Sequence, residues 1–357
     1  MIAGHRALVV ALLLASSSPA LADEAAVEQP ASPRISNGRR AAAVALAVFP
    51  GILVRGLGSA LVKEPRAAKR LALMEGAGIG LMLAGGLPTG ISGGNPYSIP
   101  LVPLLTTGTG MFLSSWFTDI WVAAGGPSTH PEPRARAPWS IELGSTYLRD
   151  AYRHRLFARG AGRIDLGRTA VTAMGMQDAG GDAYETALGA EVRILGAPSH
   201  GRYIIDTTRL VVRATGRYRG DDEDMVSVAT GELEVAGRYD HGRIAEVLSG
   251  TFTDASVGIG FERAGYDPGG HENSTLLLAT FAWGMYLRDL GEVRIFYDHR
   301  RDSMAGGLQA YRAAGFIGSF GTALDLRVSG PWAARAEVEY GSGWVGTLAV
   351  RYQGGPR

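Results

Sequence analysis

The sequence contains no cysteine, which excludes a disulfide framework, a thiolate metal site and an N-terminus lipidated on a cysteine. It also has almost no net charge, with 35 basic and 34 acidic residues leaving a formal +1 over 357 residues. Partners of nucleic acid carry a basic field, so no nucleic-acid partner is expected. Histidine is sparse, and no two of the seven (5, 130, 154, 200, 241, 271 and 299) have a helical or strand spacing suited to a metal. The first apolar run, Ala7 to Ala15, is too short to span a bilayer, which takes ~20 residues. With His5 and Arg6 before it and Ala20-Leu21-Ala22 after it, residues 1–22 read as a signal peptide cleaved to leave Asp23 first.

What the chain has in excess is glycine, 51 residues beside 46% hydrophobic ones. Residues 23–38 are polar and read as a disordered linker. Residues 39–124 form an apolar helical region in three blocks: Ala41 to Val62, Leu71 to Ile91 and Ile99 to Ala124. Gly76, Gly78 and Gly80 are expected to let these helices approach closely, in the small-xxx-small manner. Residues 125–138, with Pro127, Pro131, Pro133 and Pro138, read as a linker and the clearest domain boundary.

From residue 139 to 357 the hydrophobic period changes to two, the strand signal. Trp332, Ala334, Ala336, Val338 and Tyr340 oppose Arg335, Glu337 and Glu339, and Trp344, Leu348, Val350 and Tyr352 oppose Thr347 and Arg351. The segments 184–194, 210–218, 277–287, 293–298 and 320–328 alternate likewise. The apolar faces end in aromatic residues and the segments often reach nine residues, which suits crossing a bilayer at a tilt. The expected fold is therefore mainly β: an antiparallel transmembrane β-barrel of roughly 10–12 strands preceded by the helical region.

In such a barrel the polar face lines the lumen. The candidate lumen charges are Arg209, Arg213, Arg217, Glu232, Glu234, Arg294, Asp325, Arg327, Arg335 and Glu337. They either tune ion passage or pair across a filled interior. Arg55, Glu75 and Asp119 are candidate intramembrane charges, for which function is the default reading and pairing near helix ends the plain one. At least one acid–base pair is expected among Arg55, Lys69, Glu75 and Asp119, in a helical cluster touching the barrel.

The last strand, Gly346-Thr347-Leu348-Ala349-Val350-Arg351-Tyr352, resembles the closing strand of Gram-negative outer-membrane barrels, although Gln353 to Arg357 follow the aromatic residue. That resemblance implies an outer-membrane location, with the assembly machinery and membrane lipids as partners. The pieces Pro50-Gly51, Gly56-Leu57-Gly58 and Glu75-Gly76-Ala77-Gly78 are similar to a group of exported bacterial proteins, in which a His follows the second Gly where Ser59 stands here. That similarity implies location and architecture and no activity.

Gly56-Leu57-Gly58 does not follow a strand and lacks the third glycine of a dinucleotide fingerprint, so helix packing is its reading and no cofactor is expected. His271 and Ser274 share an expected polar loop, Gly269 to Ser274, but a barrel esterase would need Ser, His and an orienting polar group facing one another, and proximity in a loop does not supply that. Asp221-Asp222-Glu223-Asp224 reads as a solvated hairpin tip, with cation binding as its alternative. The leading expectation is a structural or narrow-channel barrel. The alternatives are an inner-membrane helical protein with a periplasmic β-domain, and a barrel lipid-modifying enzyme.

Overall fold

The computed structural model describes residues 35–91, 101–125, 137–149, 154–196, 207–223, 225–244, 246–267, 269–287, 290–299, 318–341 and 343–354. The expected signal peptide, and most of the linkers expected at 23–38 and 125–138, lie outside the described residues.

Four helices precede the strands: α1 (Asn37–Val48), α2 (Leu57–Leu61), α3 (Pro65–Ile91) and α4 (Val102–Ala123). The first apolar block is thus two helices, and the break has local causes. Pro50 has no N–H to donate, and Gly56 takes φ +83, where any Cβ would also lie 2.6 Å from the Ala68 carbonyl oxygen. Helices α3 and α4 form an antiparallel hairpin. A Cβ on Gly78 would lie 2.9 Å from the Gly108 carbonyl oxygen, and one on Gly108 would lie 2.5 Å from the Met82 nitrogen. The expected contact through Gly76 and Gly80 is corrected, because nothing lies within 4 Å of either position. At ~100° per residue, two steps from Gly78 turn the chain to the opposite face.

Twelve strands follow. They are β1 (Trp139–Arg149), β2 (His154–Leu166), β3 (Thr169–Asp178), β4 (Ala183–Leu195), β5 (Arg209–Asp221) and β6 (Val226–Asp240), then β7 (Thr251–Tyr266), β8 (His271–Tyr286), β9 (Gly291–Asp298), β10 (Ser319–Ser329), β11 (Trp332–Tyr340) and β12 (Trp344–Gly354). Each pairs antiparallel with the next, and β1 pairs with β12 from Trp139↔Gly354 to Arg149↔Trp344, closing the barrel without an edge. The closing strand runs two residues past Tyr352, because Gln353 and Gly354 still find partners in Ser140 and Trp139. The polar loop expected at Gly269 to Ser274 is shorter than read. Strand β8 begins at His271, whose partner is Gly265.

The terminal end of the barrel is the rim where Trp139 meets Gly354, and the distal end is the opposite rim. Alternation places Leu143, Leu188, Leu233, Ile259 and Leu348 on the outside and most strand charges inside, with Arg149 and Arg263 on the outer face toward the distal end.

Candidate functional site in the lumen and on the helix-covered wall

All ten candidate lumen charges occupy inward positions of their strands. Register decides their partners. Arg213 bridges Glu191 (3.3 Å) and Glu234 (3.7 Å), and Arg217 bridges Glu185 (3.3 Å) and Glu232 (3.9 Å). Arg294 and Arg335 converge on Glu337. Asp325 lies 3.0 Å from Arg351, an ion pair whose geometry falls short of a hydrogen bond. Arg209 stands opposite Arg238 in the β5–β6 register. Arg327 is the exception, since it sits three residues before the turn at Gly330 and its Nε donates to the Gly330 carbonyl (3.0 Å) at the rim.

Several inward charges escaped the sequence reading. Glu142 accepts from Arg159 and, at 2.7 and 2.9 Å, from Arg351, while Arg163 joins Asp165 (2.9 Å) to Glu191 (3.2 Å). Arg155 pairs with Asp221 (2.9 Å) and Glu223 (2.7 Å), so the acidic run is an engaged hairpin tip rather than a set of free carboxylates. Asp224 of that run lies outside the described residues. The inward alternation of β1, β2 and β12 would have disclosed these charges.

Two packed clusters stand at opposite ends of the lumen. Near the terminal end, Arg238 pairs with Asp254 (2.7 Å) and Glu292 (2.8 Å), donates to the Tyr286 hydroxyl (2.9 Å) and lies 3.6 Å over the Phe252 ring. Phe252 is fully buried, and Gly284 opposite leaves room for its ring. Toward the distal end, Leu148, Phe157, Met176 and Ala183 form an apolar cluster on the inward faces of β1 to β4, with Met174 and Val345 against it.

The three candidate intramembrane charges are brought together among the helices. Asp119 on α4 accepts from the backbone amides of Gly56 (3.1 Å), Gly58 (3.3 Å) and Ser59 (2.8 Å), and from the Ser59 hydroxyl (2.6 Å). This explains Gly56-Leu57-Gly58: its helix-start amides, buried and without intrahelical partners, are spent on a carboxylate of the same chain. Arg55 lies 3.9 Å from Glu75, gives its backbone N–H to the same carboxylate (3.1 Å), donates to Ser115 (3.1 Å) and stacks 4.4 Å from the Phe112 ring. All three side chains are buried, so the cluster fastens α2, α3 and α4 to one another and offers no opening to a ligand.

Helix α4 lies against the outer wall of β7 and β8. Gly110 admits the Phe281 ring, and the Trp283 indole donates to Thr118 (3.0 Å). Ser114 lies 2.7 Å from Thr253, Thr253 lies 2.8 Å from His241 Nε2, and His241 Nδ1 lies 2.9 Å from Thr251, which donates to the Leu248 carbonyl (2.8 Å). Thr251 has only one proton and gives it to Leu248, so it must accept from Nδ1–H. Burial of His241 in the β6–β7 connection pushes its pKa down to about 4, so the imidazole is neutral near pH 7. In that neutral form Nε2 accepts from Thr253, which in turn accepts from Ser114. Nothing in the sequence marks this histidine, because its partners lie on other elements. His271 and Ser274 occupy opposite faces of β8, and Ser274 donates to Glu262 (3.3 Å), so they form no catalytic pair.

Aromatic side chains ring both ends of the outer surface. Trp139, Trp332 and Tyr352 stack at the terminal end, with centroids 5.6 and 5.0 Å apart. Tyr184 with Tyr218, Tyr297 with Phe320, and Tyr340 with Trp344 do so at the distal end. From Trp332 to Tyr340 the strand runs about 27 Å, which at a ~40° tilt crosses an apolar band of about 21 Å. The chain is a membrane-spanning β-barrel. A closed, even-numbered antiparallel barrel with a lipid-facing apolar band between aromatic girdles is the architecture of the Gram-negative outer membrane, and there this protein resides.

No protein-family model matches the sequence, and no curated protein matches it. Among solved structures, the chain is similar to the KdgM porin, with 8% identity and a TM-score of 0.38 over 60% of this chain and 99% of that one. It is similar to the outer membrane protein Omp33 of Acinetobacter baumannii, with 10% identity and a TM-score of 0.33 over 63% and 100% of the two chains. The NanC porin gives 7% identity and a TM-score of 0.36 over 59% and 98%.

Proposed function

We propose that this protein is an outer-membrane barrel with a narrow, ion-paired lumen that passes small hydrated ions and excludes bulky solutes. The observation that carries the reading is the pairing of inward arginines with inward carboxylates along the wall, together with the packed Arg238–Phe252–Tyr286 cluster in the lumen near the terminal end. Paired charges of both signs leave a weak net field for either ion, which favours low selectivity as well as low conductance. The inner-membrane alternative would need strands whose outer faces meet water, whereas Leu348, at 65% exposure, belongs to a continuous apolar surface. A lipid-modifying enzyme would need an accessible nucleophile beside a base: His271 and Ser274 lie on opposite faces of β8, and His241, with Thr251 and Thr253 beside it, is buried.

Planar-bilayer recording tests the reading. The wild type should show small conductance steps with weak ion preference, and the double variant Arg238→Ala, Phe252→Ala should show larger ones. Passage of oligosaccharides by the wild type in a vesicle-swelling assay would overturn the proposal. Absence of conductance from both proteins would favour a purely structural barrel.

A further inference from the structure

Four exposed bases crowd one end of the α3–α4 hairpin. Lys63, Arg66, Lys69 and Arg70 are exposed and crowd the start of α3, whereas from Leu71 to Gly125 the sequence has no lysine or arginine at all. The acids are distributed otherwise. Glu75 and Asp119 are buried against Arg55 and the α2 amides, which leaves Glu64 as the acid beside these four bases. Among the described residues no carboxylate lies within ion-pair distance of Lys63, Arg66, Lys69 or Arg70.

The height of this basic end follows from the packing. Helices α3 and α4 are antiparallel, with Gly78 against Gly108 and Gly85 against Leu101 and Leu105, so the first turns of α3 lie beside the last turns of α4. There Thr118 holds Trp283, three residues before the terminal end of β8. The bases therefore emerge toward the terminal end, where Trp139, Trp332 and Tyr352 form their girdle. Beyond Arg70, α3 continues for 21 residues to Ile91 and exposes Leu73, Ile79, Leu83, Leu87 and Ile91. At 1.5 Å per residue that stretch is about 31 Å long, the thickness of a hydrocarbon core. The apolar stretch belongs among acyl chains, which holds the four bases at the headgroups of one leaflet.

We propose that Lys63, Arg66, Lys69 and Arg70 form a binding surface for anionic phospholipid headgroups in the leaflet at the terminal end of the barrel. The ammonium and guanidinium groups meet the phosphodiester, and the exposed leucines of α3 meet the acyl chains of the same lipid. The surface anchors the helical unit against the barrel wall, and its action is independent of whether the lumen conducts.

The test uses the full-length protein in phosphatidylcholine vesicles containing a minority of phosphatidylglycerol, with lipids retained after mild detergent extraction counted by mass spectrometry. Phosphatidylglycerol should be enriched about fivefold over its share in the vesicle, the worth of a single base near an anionic surface. The enrichment should fall as salt rises, a measurement that needs no variant. It should be lost in Lys63→Gln, Arg66→Gln, Lys69→Gln, Arg70→Gln and kept in Arg66→Lys, Arg70→Lys. Heat-modifiable gel mobility verifies that each barrel is folded. No enrichment in the wild type, enrichment indifferent to salt, equal retention by the folded glutamine variant, or a preference for lipopolysaccharide phosphates over phosphatidylglycerol would each overturn the proposal.

Discussion

The outer surface of this barrel meets two different solvents, and its residues divide accordingly. On β12 the outward side chains are Trp344, Leu348, Val350 and Tyr352 around Gly346, and they expose apolar surface throughout. On β7 and β8 the outward positions covered by α4 include Thr253 and Trp283, with Thr251 and His241 packed beside them, and each uses its polar atoms. Lipid offers no hydrogen bonds, so a polar group facing it is a plain loss. A helix offers hydroxyls and a second wall, so the same barrel surface can carry threonine and histidine. On this wall, outward polar side chains that are buried and hydrogen-bonded mark where protein replaces lipid.

The comparison breaks most visibly at a lipid-facing site. Leu348→Arg should destabilise the barrel by ~2–4 kcal/mol near the membrane midplane, measured by denaturant unfolding from vesicles. A negligible cost would mean that β12 is covered by something other than lipid. On the helix-covered side the rule reverses. Thr253→Val, an apolar gain that a lipid-facing position would tolerate, should cost ~1–3 kcal/mol, because it strands the Ser114 hydroxyl and His241 Nε2. Equal stabilities for Thr253→Val and the wild type would remove the bond chain from the docking account.

The smallest expected effect is one of pH. The folded His241 pKa of about 4 lies below its usual 6.5, so the folded state holds fewer protons than the unfolded one between those values. This contribution to stability is complete above pH 6.5 and is lost as pH falls toward 4. Unfolding midpoints should therefore decline over that window, and His241→Gln should flatten the decline. An unchanged slope in the variant would assign the pH dependence to other groups.

Much of this fold was legible in the sequence. Alternation along 332–340 and 344–352 shows which side chains share a face, and the proline-rich stretch after Gly125 marks where helices give way to strands. The first helical block is two helices because its apolar run continues through Pro50 to Gly56, where a helical backbone cannot. Composition does not say which side of a helix meets its neighbour, so Gly78 makes the expected close approach and Gly76 and Gly80 do not.

What the sequence by itself determined is local: a strand's period of two, a helix's length, and the end of the helical region that bears its bases. Each follows from the geometry of one segment. The tertiary structure decided who pairs with whom. Glu142 meets Arg351 across the β1–β12 seam, Arg238 stacks on Phe252 from a neighbouring strand, and Asp119 reaches back some 60 residues to the Gly56, Gly58 and Ser59 amides. Those partners depend on strand register and helix docking, which are fixed by contacts far apart in the chain. The same holds for the covered wall, since whether Thr253 faces lipid or helix is not a property of β7 but of where α4 comes to rest.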